Sequence, residues 1–153
     1  MTARMNPLAK AQKALEPMLA LEAYFKTCSL EPSLMHLVKI RASQINGCAY
    51  CLHMHTLEAR KDGEGEARIY LLDAWRESGL YTPRERAALT WTETLTEVST
   101  THAPDADYEA AVAQFGEQEM IDLTLVITNI NAWNRICVGF RAHHPNDVMR
   151  KAA

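Results

Sequence analysis

The chain has no basic stripe: 16 Lys and Arg are interspersed among 19 Asp and Glu, for a formal net charge of -3. Without clustered positive charge it cannot neutralise a run of phosphates, and nucleic acid is set aside as a partner. It has no unbroken apolar run either. The most apolar stretch, 121–138, is interrupted by Asn129, Asn131, Asn134 and Arg135. Those side chains are costly in hydrocarbon, so the expectation is a buried or interfacial helix rather than a membrane span. The first thirteen residues carry basic side chains but no apolar segment followed by a small-residue cleavage site. No export signal is read there, and a cytoplasmic location is expected. Period-two alternation and Asn-Gly turns between β-rich runs are missing as well, which leaves an all-α fold class.

What remains is ordinary globular composition, with 48% hydrophobic and 23% charged residues in 153. That fits a single domain over 1–153. Between Leu8 and Cys28 a short helix and a longer one are expected, with Pro17 in a first turn where its missing N–H does no harm. Leu34, Leu37, Val38, Ile40 and Ile45 recur at helical spacing behind Ser33 as N-cap. Asn46-Gly47 breaks that helix, and the next one runs from about Cys48 to Lys61, where Asp62-Gly63 stops it. Ala67, Tyr70, Leu71, Ala74 and Trp75 mark a further amphipathic helix. Thr82-Pro83-Arg84-Glu85 reads as an N-cap, a proline at the first helical position and a capping box, opening a helix to about Val98. Thr100–Pro104 is a loop, Asp105 caps a short helix reaching Phe115, and Gly116 precedes a final helix over 117–140. About six to seven helices follow from these signals. The tail after about 145 is expected to be loose.

The chemistry concentrates in Cys48-Ala49-Tyr50-Cys51 and His55. Residues three and four apart share a helix face, so these three lie on one stripe, with His55 within reach of the Cys51 sulfur. A thiol at a helix N-terminus beside an imidazole is held toward the thiolate and becomes nucleophilic near neutral pH. The second thiol can capture the oxidised first one as a disulfide. Two other readings stay open. The cysteines can be small core residues, or they can form half of a zinc site with His53 or His55. No second Cys-x-x-Cys or His-x-x-x-His pair completes a zinc site, while Cys28, Cys137, His143 and His144 stand isolated in sequence. Trp91 and Trp133 are expected in the core or a subunit interface.

The run Leu37-Val38-Lys39-Ile40-Arg41-Ala42-Ser43-Gln44-Ile45-Asn46-Gly47-Cys48-Ala49-Tyr50-Cys51, with His55 after it, resembles the alkylhydroperoxidase AhpD core of the carboxymuconolactone decarboxylase-like family. The resemblance continues through 82–93 and through Asn131-Ala132-Trp133-Asn134-Arg135, and so spans most of the chain. It implies an all-helical subunit with its redox core at about 33–62, assembled as a symmetric homo-oligomer, a trimer or a hexamer. It also implies reduction of hydroperoxides by the cysteine pair, without haem, flavin or metal, at the expense of an external dithiol such as a lipoyl or thioredoxin-like protein.

By the same resemblance Cys51 matches the peroxide-attacking thiol, Cys48 the resolving thiol and His55 the histidine of proton transfer. Tyr50 replaces a histidine that some members carry between the cysteines. His36 stands where many members have a relay glutamate. It is either a relay group itself or a histidine satisfied by a backbone carbonyl. Glu93 is the candidate substitute carboxylate, or else a surface carboxylate. Two alternatives accompany the peroxidase: a redox sensor or scaffold that uses the same disulfide without turnover, and the decarboxylase activity that names the wider family.

Overall fold

The computed structural model describes residues 2–143, and every regular element among them is helical. In chain order these are α1 (Pro7–Lys10), α2 (Gln12–Phe25), α3 (Pro32–Ile45), α4 (Ala49–Lys61), α5 (Glu66–Leu71) with a 3-10 continuation (Leu72–Glu77), α6 (Pro83–Thr96), α7 (Val98–Thr101), α8 (Asp105–Val112) and α9 (Glu117–Phe140). Setting aside the single-turn pieces α1 and α7, the helices are those expected from the periodicity. Position 144 and the expected loose tail lie outside the described residues.

Helix α3 is the axis of the bundle, packed by α4, α6 and α9. Its Leu37, Val38 and Ile40 are fully buried, although they point in different directions around the helix. Removing a side chain of that kind from water contributes about 1.5–3 kcal/mol. On one side Val38 joins Phe25, Trp91, Phe115, Leu123 and Ile127. On another, Leu37 and Ile40 meet Leu72, Trp75, Tyr81 and Leu89. The polar residues of α3 are paired at its flanks. Lys39 Nζ donates to Glu22 at 2.7 Å, and the other Glu22 oxygen accepts from Asn129 at 2.6 Å, tying α2, α3 and α9 together.

The capping box at Thr82 is present, with Glu85 N–H donating to Thr82 Oγ1 at 3.2 Å and Thr82 N–H donating to Glu85 at 2.8 Å. Several local expectations are corrected. Pro17 lies inside α2; the break falls earlier, at Ala11, because Asn6 and Pro7 start a separate turn in which Ala9 N–H donates to Asn6 Oδ1. Glu31 rather than Ser33 is the N-cap of α3, since Pro32 takes the first helical position. Tyr70 and Leu71 face solvent, and Ile69, Leu72 and Trp75 carry the buried face. The loop expected over 100–104 begins inside a turn of helix, Val98–Thr101, and Pro104 caps α8 in place of Asp105. No helix among the described residues is long and apolar enough to cross a membrane.

Candidate functional site

The turn between α3 and α4 presents the cysteines, and a buried polar network fixes it. Gly47 adopts φ +64°, a left-handed conformation that a residue with Cβ disfavours. Around it, Asn46 N–H donates to Ala42 O and Cys48 N–H to Ser43 O, both at 3.0 Å. Asn46 Nδ2 lies 2.9 Å from Asn131 Oδ1 and 3.0 Å from Asn134 Oδ1. Asn134, fully buried, donates in turn to Ser43 Oγ at 3.0 Å, and Asn131 donates to Thr96 Oγ1. Two of the three asparagines that break the apolar pattern of α9, Asn131 and Asn134, therefore hold the cysteine loop.

Cys48 is the N-cap of α4, its sulfur accepting from Cys51 N–H at 3.4 Å. The two cysteines form a disulfide with a Cα–Cα distance of 5.4 Å, well inside the range such a bond requires. Both are 1% exposed and pack with Ala42 and Ile130, under Tyr50, Trp133 and Cys137. The Cys48, Cys51 and Cys137 sulfurs all lie within 4.8 Å of one another. Burial pushes the Cys137 thiol above its usual range.

A cavity of about 1000 Å³ opens over this cluster. Cys51, His55, Glu58, His36, Asp62 and Cys137 are among its lining residues. On its outer side the N-terminal segment is laid across the end of α9, with Arg4 N–H donating to Phe140 O at 3.0 Å and Arg4 Nη1 to Gly139 O at 2.9 Å. His55 is 4% exposed and its Nδ1 pairs with Glu58 Oε2 at 2.8 Å. The His55 hydrogen bond holds the Glu58 carboxyl below its usual range, aided by the nearby charges of Lys39 and His36. An ionised Glu58 only accepts, so Nδ1 donates the proton of this hydrogen bond and Nε2 is left as the ring's other proton site. That arrangement can take a proton at Nε2 and stabilise the resulting imidazolium.

His36 is drawn to the same cavity, where its Nε2 lies 2.8 Å from Asp62 Oδ2. Its partner is thus a carboxylate, neither a backbone carbonyl nor a sulfur. Glu93 is brought elsewhere. It accepts from Arg41 Nε and Trp75 Nε1, each at 2.7 Å, and pairs with Arg76. Burial raises its pKa, but those three donors outweigh it and leave the carboxylate ionised and spent on structure. The candidate substitute for a relay carboxylate is therefore Glu58, not Glu93.

Sequence reasoning missed Glu58, Asp62 and Cys137. The first two had a signal, since 51, 55, 58 and 62 follow the four-three-four spacing of one helix stripe. Cys137 had only its place one turn beyond Trp133 and Asn134. Its isolation in sequence is overturned in space, and His143 likewise lines the cavity. The sulfur cluster contains neither imidazole of the zinc reading, His53 or His55. Cys28 stays apart, its thiol donating to Phe25 O at 3.3 Å. Trp91 is core, as expected, whereas Trp133 is half-buried and lines the cavity.

The model of the carboxymuconolactone decarboxylase family matches residues 9–94, more than half of the chain and the whole of α3 and α4. The chain belongs to that family. Within it, this family member is 41% identical over 138 residues to the uncharacterised protein YdfG of Bacillus subtilis, covering 90% of this chain and 94% of that one. Among solved structures it superposes at a TM-score of 0.91 and 44% identity on a protein from Agrobacterium tumefaciens, covering 94% of this chain and 99% of the other. That protein is described as of unknown function and as a candidate AhpD antioxidant defence protein. An uncharacterised peroxidase-related protein from Silicibacter shares the fold at a TM-score of 0.74 and 22% identity, over 84% of this chain and 69% of its own. The chain is thus an AhpD-like member of the family, with the all-helical fold that implies.

Proposed function

We propose that the protein is a thiol peroxidase of the AhpD kind, reducing organic hydroperoxides through a Cys48/Cys51 dithiol–disulfide cycle. The observation that carries this reading is the stack at the cavity floor. Cys51 opens on a large cavity, Cys48 lies at disulfide distance beneath it, and a carboxylate-oriented histidine stands one helical turn away. In the reaction the Cys51 thiolate attacks the outer peroxide oxygen, the O–O bond breaks, and the departing alkoxide takes a proton to leave as alcohol. Cys48 then attacks the sulfenic acid, forming the disulfide and releasing water. An external dithiol, such as a lipoyl group or a thioredoxin-like protein, returns both thiols. His55 serves as the proton carrier, oriented by Glu58, with His36 and Asp62 as a second carboxylate–histidine pair on the same wall.

The apolar lining, including Met5, Leu8, Met35, Met54, Trp133 and Ile136, favours a bulky organic hydroperoxide over a small polar one. Assembly into a homo-oligomer accompanies this reading, supported by the exposed apolar side chains of Leu57, Tyr70, Leu71 and Leu80. The test is steady-state consumption of cumene hydroperoxide with a dithiol donor. Many equivalents consumed per subunit, lost in Cys51→Ser, is the expected result. A stop after one equivalent assigns the disulfide to a redox sensor instead, and no cysteine-dependent consumption overturns both.

A further inference from the structure

Cys137 takes no part in the two-cysteine cycle, yet its sulfur lies within 4.8 Å of both Cys48 and Cys51. It comes from α9, 86 positions beyond Cys51 in sequence, and packs on the small cluster formed by the cysteine pair, Ala42 and Ile130. It also lines the same cavity as Cys51, so the two sulfurs share the space in which an oxidant would arrive. The asparagine network already fixes α9 against the cysteine loop through Asn131 and Asn134, which sets the distance between these sulfurs by packing rather than by chance approach.

We propose that Cys137 is a second resolving thiol for Cys51, able to close a Cys51–Cys137 disulfide that covalently joins α4 to α9. The proposal rests on the reading of Cys51 as the oxidised thiol. With Cys51 as sulfenic acid, the Cys137 sulfur attacks the Cys51 sulfur, the S–O bond breaks, and the leaving hydroxide combines with the Cys137 proton as water. From the existing disulfide the same bond forms by exchange. The Cys137 thiolate displaces Cys48 from Cys51, Cys48 leaves as thiolate, and the oxidation level is unchanged. An external dithiol reduces either product. Cys48 already stands at disulfide distance from Cys51 whereas Cys137 lies farther off, which makes Cys48 the faster partner and Cys137 the reserve, its thiolate further disfavoured by burial. The reserve guards Cys51 against oxidation to sulfinic acid when Cys48 is already engaged, for instance in a mixed disulfide with the reductant.

The experiment uses the full-length Cys48→Ser protein, in which serine keeps an oxygen acceptor at the N-cap of α4, with Cys48→Ala as a second background. Reduced protein is treated with one equivalent of cumene hydroperoxide, and separately with diamide, which joins neighbouring thiols while being reduced to a hydrazine. Peptides are then mapped by mass spectrometry. A Cys51–Cys137 bridge within one subunit is expected in both backgrounds, and with several equivalents of hydroperoxide in place of one, Cys51 sulfinic acid rises several-fold when Cys137→Ser is added. If diamide forms the bridge but peroxide is not reduced, the third thiol stands and the peroxidase reading falls. If the parent protein turns over peroxide while neither oxidant links Cys51 to Cys137, or links Cys137 only between subunits, the inference is overturned and the peroxidase reading survives.

Discussion

Replacing Glu58 by Gln removes one negative charge while leaving an oxygen that can still accept from His55 Nδ1. The interaction is a charge-assisted hydrogen bond of 2.8 Å, of a kind that contributes about 1.5–3 kcal/mol when shielded from water. The Glu58 side chain is 49% exposed, so solvent screening reduces this to about 1 kcal/mol. A loss of that size lowers the melting temperature by about 2–4 °C in a domain of this length. On the proposed mechanism it also weakens stabilisation of the imidazolium formed when His55 takes the Cys51 proton, and the same loss of about 1 kcal/mol corresponds to a slowing of about fivefold. The pH dependence has a definite sign. The Glu58 carboxyl is held below its ordinary value of 4.5 in the folded protein, chiefly by His55. Its contribution is therefore complete above that value and disappears as pH falls through the depressed folded pKa, because the unfolded chain binds the proton first. The gap in stability between parent and variant should exist at pH 7 and close in acid. The assays are thermal unfolding across pH and iodoacetamide alkylation of Cys51 in the reduced protein. Equal melting temperatures and equal alkylation rates at pH 7 would refute a role for this carboxylate.

Asn134→Ala strips one donor from Ser43, whose hydroxyl still donates to Lys39 O, and one partner from Asn46 in a fully buried site, and should cost about 1–3 kcal/mol, read in denaturant unfolding. The turn carrying Cys48 should loosen with it, so the disulfide of the variant should become easier to reduce in a redox titration. His36→Glu sets a carboxylate against Asp62, which now lies 2.8 Å from the imidazole. That like-charge contact should lower both stability and hydroperoxide turnover rather than improve the site, as melting and rate measurements on one preparation will tell. Sedimentation equilibrium should give a mass several times the 17.2 kDa of one chain, and a monomer at micromolar concentration would remove the oligomer from the account.

The long helices were legible because their signals are local and agree with one another. Thr82-Pro83-Arg84-Glu85 specifies a start by capping chemistry alone, and Gly116 marks the start of α9 by separating two helical patterns, its N–H donating to Glu119 at 3.0 Å. Pro17 shows the limit. A proline lowers helix propensity by about 3 kcal/mol, yet α2 runs through it, and the exposed break falls at Ala11 instead. The Cys48, Cys51 and His55 stripe was readable from spacing, and the same spacing extended to Glu58 and Asp62 had it been followed to the end of α4. Glu93 went wrong for a reason outside the local sequence, since its fate depends on Arg41, Trp75 and Arg76 arriving from two other elements. Cys137 was invisible for the same reason: only the packing of α9 against α3 and α4 brings it to the pair.

The central claim is that Cys51 is the thiol that meets the oxidant. The direct measurement is single-turnover loss of cumene hydroperoxide by fully reduced protein without added reductant, comparing Cys51→Ser with Cys48→Ser. Cys48→Ser should consume one equivalent per subunit at a rate close to the parent, and Cys51→Ser should consume none. Parental consumption by Cys51→Ser, with none by Cys48→Ser, would contradict the account.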